Sequence, residues 1–190
     1  EQKEVKQVKA TETVQIILDQ TPFYAEAGGE IGDTGFITKK NAVIKITDTQ
    51  KKTDISIHFG LVTEGSFKVG DKVNTQIDGE RRLSIMRNHT ATHLLQAALR
   101  NVLGNHVQQQ GSLVAENRLR FDFTHPKAIT KDEIRKIEDY INSLILNCDE
   151  VKKEVMPIEK ARKIGALAFF AEKYGTKVRI VSAGDYSKEF

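Results

Sequence analysis

The sequence predicts an α+β protein in two parts, a small Gly-rich β-barrel over residues 1–79 and a core of helices packed on antiparallel strands over residues 80–190. Three observations predict it. Up to Asp78-Gly79 the apolar residues alternate in short runs broken by glycines, the signature of several short strands. Beyond that point apolar residues recur at the three- and four-residue spacing of amphipathic helices. The later helices and strands mix without a repeating strand–helix–strand unit, which argues against a parallel, doubly wound sheet.

The elements follow in order. The first ten residues, EQKEVKQVKA, are polar and read as a linker or as the cut edge of a longer protein. Residues 13–18 (TVQIIL) read as a strand. From Pro22 to Gly35, PFYAEAGGEIGDTG has the glycines and the Asp33-Thr34-Gly35 step of turns and close backbone approach. Alternation then predicts strands in 42–48, 54–62 and 71–78. From Arg81 to Leu103 a helix is predicted by Leu83, Met86, Leu94, Leu95, Ala98, Leu99 and Val102, with Gly104 where a terminating glycine belongs. Strands 106–114 and 118–124 are joined by Ala115-Glu116-Asn117, and Leu119, Phe121 and Phe123 share one face. Thr130 and Glu133 form a capping box that opens a helix running to about Asn147. A strand at 151–156, short helical turns through 158–172 and a strand at 177–182 complete the chain.

Composition narrows the class of protein. Among 190 residues, 39% are apolar and 29% charged, with 13 Gly and 3 Pro, which suits a globular chain and excludes collagen-like or low-complexity sequence. No apolar run reaches the roughly 18–20 residues that span a bilayer, so no membrane partner is expected. The N-terminus lacks the order of a signal peptide, and the one cysteine, Cys148, forms no intrachain disulfide, so a reducing, cytoplasmic setting is expected. The net charge of +3 conceals an asymmetry: residues 1–80 sum to −3 and residues 81–190 to +6, and all nine arginines lie in the second part. A cationic part is compatible with phosphate contact, and ordinary surface charge explains it equally well.

The residues with most chemical content are Arg87–His93, RNHTATH. His89 and His93 are four apart in a helical pattern, so their imidazoles lie on one face about a turn apart. That is a common half of a zinc site, and it is also a common polar stripe. The His-Glu-x-x-His pattern of zinc proteases fails, because Thr90 stands where the general-base carboxylate would be. His58, His106 and His125 read as isolated, and Cys148 reads as a buried small hydrophobe near a helix end. Gly28 and Gly29 read as a turn, because the glycine spacing of a dinucleotide fold is absent. Ser112 lacks the Gly-x-Ser-x-Gly elbow of a serine nucleophile.

Taken together, NHTATHLLQAAL and HVQQQGSLVAENRLRFDFTH resemble the editing domain of alanyl-tRNA synthetase. The upstream LDQTPFYAEAGGEIGDTG resembles that enzyme's Gly-rich segment, and GALAFFAEKYG with VRIVSAGDYSKEF resembles its later editing strands. The resemblance covers about residues 13–190 in the family's order. It implies hydrolysis of the ester joining serine or glycine to alanine tRNA, bound through its acceptor end. The physical need is that a pocket for alanine excludes glycine and serine only weakly, so a second, hydrolytic sieve corrects the error. By the same resemblance His89 and His93 are zinc ligands, Thr92 and Gln109 bind the aminoacyl ester or its attacking water, and Arg81, Arg82 and Arg87 steer the tRNA. ATP and magnesium belong only to the family's separate aminoacylation domain.

Three departures from the family pattern stand out. The family's second ligand pair, Cys-x-x-x-His, would begin directly after Phe190, so only two of four ligands are present and the chain reads as an excised piece. Glu30 replaces the family's usual Gln after Gly28-Gly29, and Ala171 replaces its usual Gly. Two other readings compete: a tRNA-binding fragment without hydrolytic activity, and a free-standing trans-editing protein of the AlaX type.

Overall fold

The structure is a computed structural model that describes residues 4–164, 166, 175–184 and 186–189. It is α+β, as expected, and its packing divides into two compact units: Glu1–Asn88 with Ser112–Leu119, and His89–Gly111 with Arg120–Phe190. Among the described residues no helix is long and apolar enough to cross a membrane.

The first unit is built from β1 (Gln7–Lys9), β2 (Thr13–Ile16), β3 (Gly35–Lys39), β4 (Ala42–Lys52), β5 (Ile55–Glu64), β6 (Ser66–Lys68) and β7 (Asn74–Ile77). Five strands form one antiparallel sheet in the order β2-β5-β4-β3-β7, and β1 pairs with β6 as a separate ribbon. The expected barrel thus takes the form of an open sheet whose edges, β2 and β7, are not bonded to one another. The alternating runs become β2, β4, β5 and β7. The polar N-terminal stretch, read as a linker, instead supplies β1, whose Val8 sits opposite Phe67. A three-residue strand is too short to show a period, so only its partner reveals it. Val14, Phe23, Ile37, Ile44, Ile46 and Val62 are buried in one core. Each fully buried side chain of this size contributes about 1.5–3 kcal/mol. Between Ile46 and Asp48 the register slips by one residue, a bulge that bends β4 midway along its length.

His58 lies on β5 inside this core and is wholly buried. Its Nδ1 is 3.0 Å from the Ile16 carbonyl oxygen and must donate to it, so Nε2 is the lone-pair nitrogen and accepts the Thr21 hydroxyl at 2.7 Å. Phe23 meets the ring edge-on at 5.2 Å. Burial pushes the His58 pKa below its ordinary 6.5, outweighing the stabilising bond to Ile16. The unfolded chain therefore takes a proton here at a higher pH than the folded one. The stability held by neutral His58 is complete above about pH 6.5 and is lost as the pH falls from there toward the depressed folded value. Urea midpoints at pH 7.5 and 5.5 should fall more for the parent than for His58→Gln; equal falls would contradict this.

Helix α1 (Gly79–Leu103) gives its first ten residues to the first unit and the remainder to the second. The hairpin of β8 (Gln109–Val114) and β9 (Leu119–Phe123) is shared, residues 109–111 and 120–123 belonging to the second unit, which continues with α2 (Lys131–Asn147), β10 (Val151–Pro157), α3 (Ile158–Lys163), β11 (Lys177–Ala183) and β12 (Ser187–Glu189). Ala98, Leu99, Val107 and Ile137 form its larger core, with Phe121 and Phe123 packed on it from the predicted face of β9. Strands β10, β11 and β12 form an antiparallel sheet over Met156, Ala161, Val178 and Ile180.

The capping box is present. Glu133 donates its backbone N–H to the Thr130 hydroxyl, and Thr130 donates its own to the Glu133 carboxylate, which holds that carboxyl below its ordinary range. Two expectations change. Cys148 is exposed, not buried, and closes α2 in a left-handed conformation. Of the helical turns expected over 158–172, α3 ends at Lys163, while residues 167–172 lie outside the described residues. The GALAFFAEKYG motif, Ala171 included, falls mostly there too.

Candidate functional site

Helix α1 begins where Asp78 accepts the backbone N–H of Arg81 at 3.0 Å, the role of a capping carboxylate. Arg81 then donates to the Gly32 carbonyl at 2.9 Å, and its Nε lies 3.5 Å from the Glu116 carboxylate. Arg82 reaches the Gly-rich segment as well. Its Nε and Nη2 donate to Asp33 Oδ1 at 2.8 and 2.6 Å, and its Nη1 donates to Glu30 Oε1 at 2.5 Å. Asp33 and Glu30 are 2% and 4% exposed, so this is a buried ionic cluster, with the Tyr24 ring 5.0 Å from the guanidinium. Burial alone would lower the Arg82 pKa; its bonds to Asp33 and Glu30 outweigh that and raise it.

Asp33 has further partners. Asp33 Oδ2 accepts the Tyr24 N–H at 2.8 Å, and the Asp33 carbonyl accepts the Thr49 hydroxyl at 2.9 Å. The Gly-rich segment is therefore an ordered structure locked by an arginine. Gly29 shows why glycine is needed there: at φ +86° a Cβ would come within 2.3 Å of Ser112 Oγ. Glu30, which departs from the family pattern, supplies one carboxylate of the lock. This arginine anchoring also sets the roll of the helix. Ile85, three residues after Arg82, is fully buried, whereas Leu83 and Met86, expected on the apolar face, are exposed.

In the second unit α1 carries the candidate metal pair. The rings of His89 and His93 stack with centroids 5.0 Å apart and planes 22° apart, as the four-residue spacing requires. Both histidines are half-buried, and Thr92 is 8% exposed. Gln109 opens β8 and is half-buried, while Gln108 and Gln110 on either side are exposed. The candidate residues thus divide between the units. His89, Thr92, His93 and Gln109 belong to the second, and Arg81, Arg82 and Arg87 to the first. Of the three arginines only Arg87 is exposed; it donates to Ser84 Oγ at 2.8 Å.

Zinc asks for nitrogen, sulfur or oxygen donors in a tetrahedron. His89 and His93 fit half of such a set, and among the described residues no group of three or more His, Cys, Asp or Glu completes it. The other histidines are otherwise engaged. His106 and His125, expected to stand alone, stack at 5.1 Å and share a hydrogen bond of 2.9 Å between Nε2 and Nδ1. What sequence reading missed is the Arg82 cluster. The available signal was two acids inside a glycine-rich turn region and consecutive arginines at a helix start.

Residues 1–81 match the family model described as tRNA synthetases class II (A). Nearly the whole chain is similar to alanine–tRNA ligases. It is 52% identical over 187 residues to that of Rhodopseudomonas palustris, covering 98% of this chain and 21% of the relative. It is 48% identical over 188 residues to that of Leptospira biflexa, covering 99% of this chain and 20% of the relative. It is 51% identical over 187 residues to that of Crocosphaera subtropica, with 98% and 21% covered. The chain spans about a fifth of the length of these relatives.

Proposed function

The chain belongs to the alanine–tRNA ligase family, and from that premise we propose that its second unit hydrolyses the ester of alanine tRNA mischarged with serine or glycine. The observation that carries the reading is the stacked His89–His93 pair with Thr92 buried beside it on the same helix. In the reaction the oxygen of a water attacks the aminoacyl carbonyl carbon, the bond from that carbon to the ribose oxygen breaks, and the ribose oxygen leaves with a proton. Thr92, through its hydroxyl, and Gln109, through its carboxamide, hold and orient that water or the amino acid by hydrogen bonds. His89 and His93 would hold zinc, which supplies a Lewis-acid charge or a grip on the substrate's amino group. Arg87, exposed, and Arg81 lie on the helix ahead of the histidines and attract the acceptor-end phosphates; Arg82 supports Arg81 by locking the Gly-rich segment to which Arg81 bonds.

The alternative, tRNA binding without hydrolysis, is separated by one assay. Release of serine from Ser-tRNA(Ala) by this chain is followed with and without added zinc, beside tRNA binding by filter retention. Turnover well above the spontaneous rate is expected, rising with zinc. Retention of tRNA with serine release at the spontaneous rate in both conditions would overturn the hydrolytic reading.

A further inference from the structure

Strand β10 pairs with β11 on one side, and among the described residues no strand pairs with its other edge. The register shows which backbone groups face that edge. Ile158, directly beyond the Pro157–Lys177 pair, donates its N–H to the Thr176 carbonyl at 3.1 Å. Residues of an antiparallel pair alternate between bonded and non-bonded positions. Counting back in twos, Met156, Glu154 and Lys152 turn their N–H and C=O groups to β11, and Val155, Lys153 and Val151 turn theirs outward. Pro157 is in the outward set and has no N–H, which is where an edge strand tolerates proline. The side chains are open as well. Val155 is 70% and Val151 39% exposed, Lys152, Lys153 and Glu154 are exposed, and only Met156 of the strand is buried.

We propose that this edge docks a second copy of the chain, β10 against β10 in an antiparallel pair about a two-fold axis at Lys153. In that register Val151 lies opposite Val155 of the second copy, Lys152 opposite Glu154, and Lys153 opposite itself. Outward residues face outward residues, so each such pair exchanges both of its N–H···O bonds. Valine meets valine on one face and lysine meets glutamate on the other, cross-strand pairs of the kind that stabilise a sheet. Charge selects the register. A shift by two residues sets Lys152 against Lys152 or Glu154 against Glu154. A shift by one sets outward groups against groups already bonded to β11. The one like pair, Lys153 on the axis, is in water, and its long stems let the ammonium groups part. Edge lysines ordinarily guard against open-ended pairing. Here the two-fold consumes the edge of both copies, so assembly stops at a dimer. Two strands bury less than the roughly 1,600 Å² of a standard interface, so the Kd is expected on the order of 10⁻⁴ M.

Sedimentation equilibrium of this chain at low salt, from about 10 μM to about 1 mM, should show a mass that rises from monomer toward dimer and no further. Lys152→Glu alone sets glutamate against glutamate across the axis, and Glu154→Lys alone sets lysine against lysine. Each should weaken association at least about 10-fold. An equimolar mixture of the two variants restores lysine opposite glutamate at both places and should associate as tightly as the parent. Both positions are exposed, so the thermal midpoints should match the parent's, which separates lost association from lost folding. A monomer mass over the whole range, growth beyond a dimer, parent-like association in either single variant, or a mixture no tighter than its components would overturn the inference.

Discussion

Replacing Arg82 with leucine is expected to destabilise the first unit by about 3–5 kcal/mol, the scale on which removing one partner strands buried charges. Two carboxylates depend on this guanidinium, Asp33 at 2.6 Å and Glu30 at 2.5 Å, and both are nearly sealed from water. With the arginine gone, both buried carboxylates lose their bonds to the guanidinium, and the Gly-rich segment loses that anchor to α1. The expected readout is a lower urea midpoint for the first unit, with part of the loss recovered at acid pH where the stranded carboxylates can take protons. Arg87→Ala, at an exposed position bonded to Ser84, should stay within about 0.5 kcal/mol of the parent. An Arg82→Leu protein as stable as the parent would mean that the cluster contributes nothing beyond its own desolvation.

The second large effect is on chemistry. In an alanine–tRNA ligase carrying this segment, His93→Ala or Thr92→Ala should reduce clearing of Ser-tRNA(Ala) by about 10²-fold or more, the loss that follows removal of one well-placed polar group. Aminoacylation with alanine should survive. The two substitutions differ in what they leave behind. His93→Ala removes one of two stacked donors of the proposed metal pair, so added zinc should no longer stimulate release. Thr92→Ala keeps both imidazoles and should retain zinc binding with slow hydrolysis. Parent-like deacylation in either variant would withdraw that residue from the site.

How far the sequence reveals this molecule is clearest element by element. The strands with at least four alternating residues were legible, because the side that meets the core repeats along the chain itself. Strands β1, β3, β6 and β12 were not, since none lies in a longer run of alternating apolar residues and each takes its identity from the partner strand. The helix α2 was legible to its first residue, because Thr130 and Glu133 satisfy each other within a single turn. In α1 the same periodicity misled at its start: Leu83 and Met86 are exposed, and Ile85 is buried, because Arg81 and Arg82 set the roll of that helix.

The site divides in the same way. Spacing alone brings His89 and His93 face to face, since four residues are one helical turn. Spacing says nothing of Arg82 and Asp33, 49 residues apart, or of Thr21 and His58, 37 apart. The α+β class, the capping box and the paired imidazoles came from the sequence by itself, because each is a rule about neighbours along the chain. The ionic lock, the neutral histidine in the core and the His106–His125 pair were decided only by the tertiary structure. Which distant group fills a buried donor or acceptor depends on where folding carries the chain, and no local period records it.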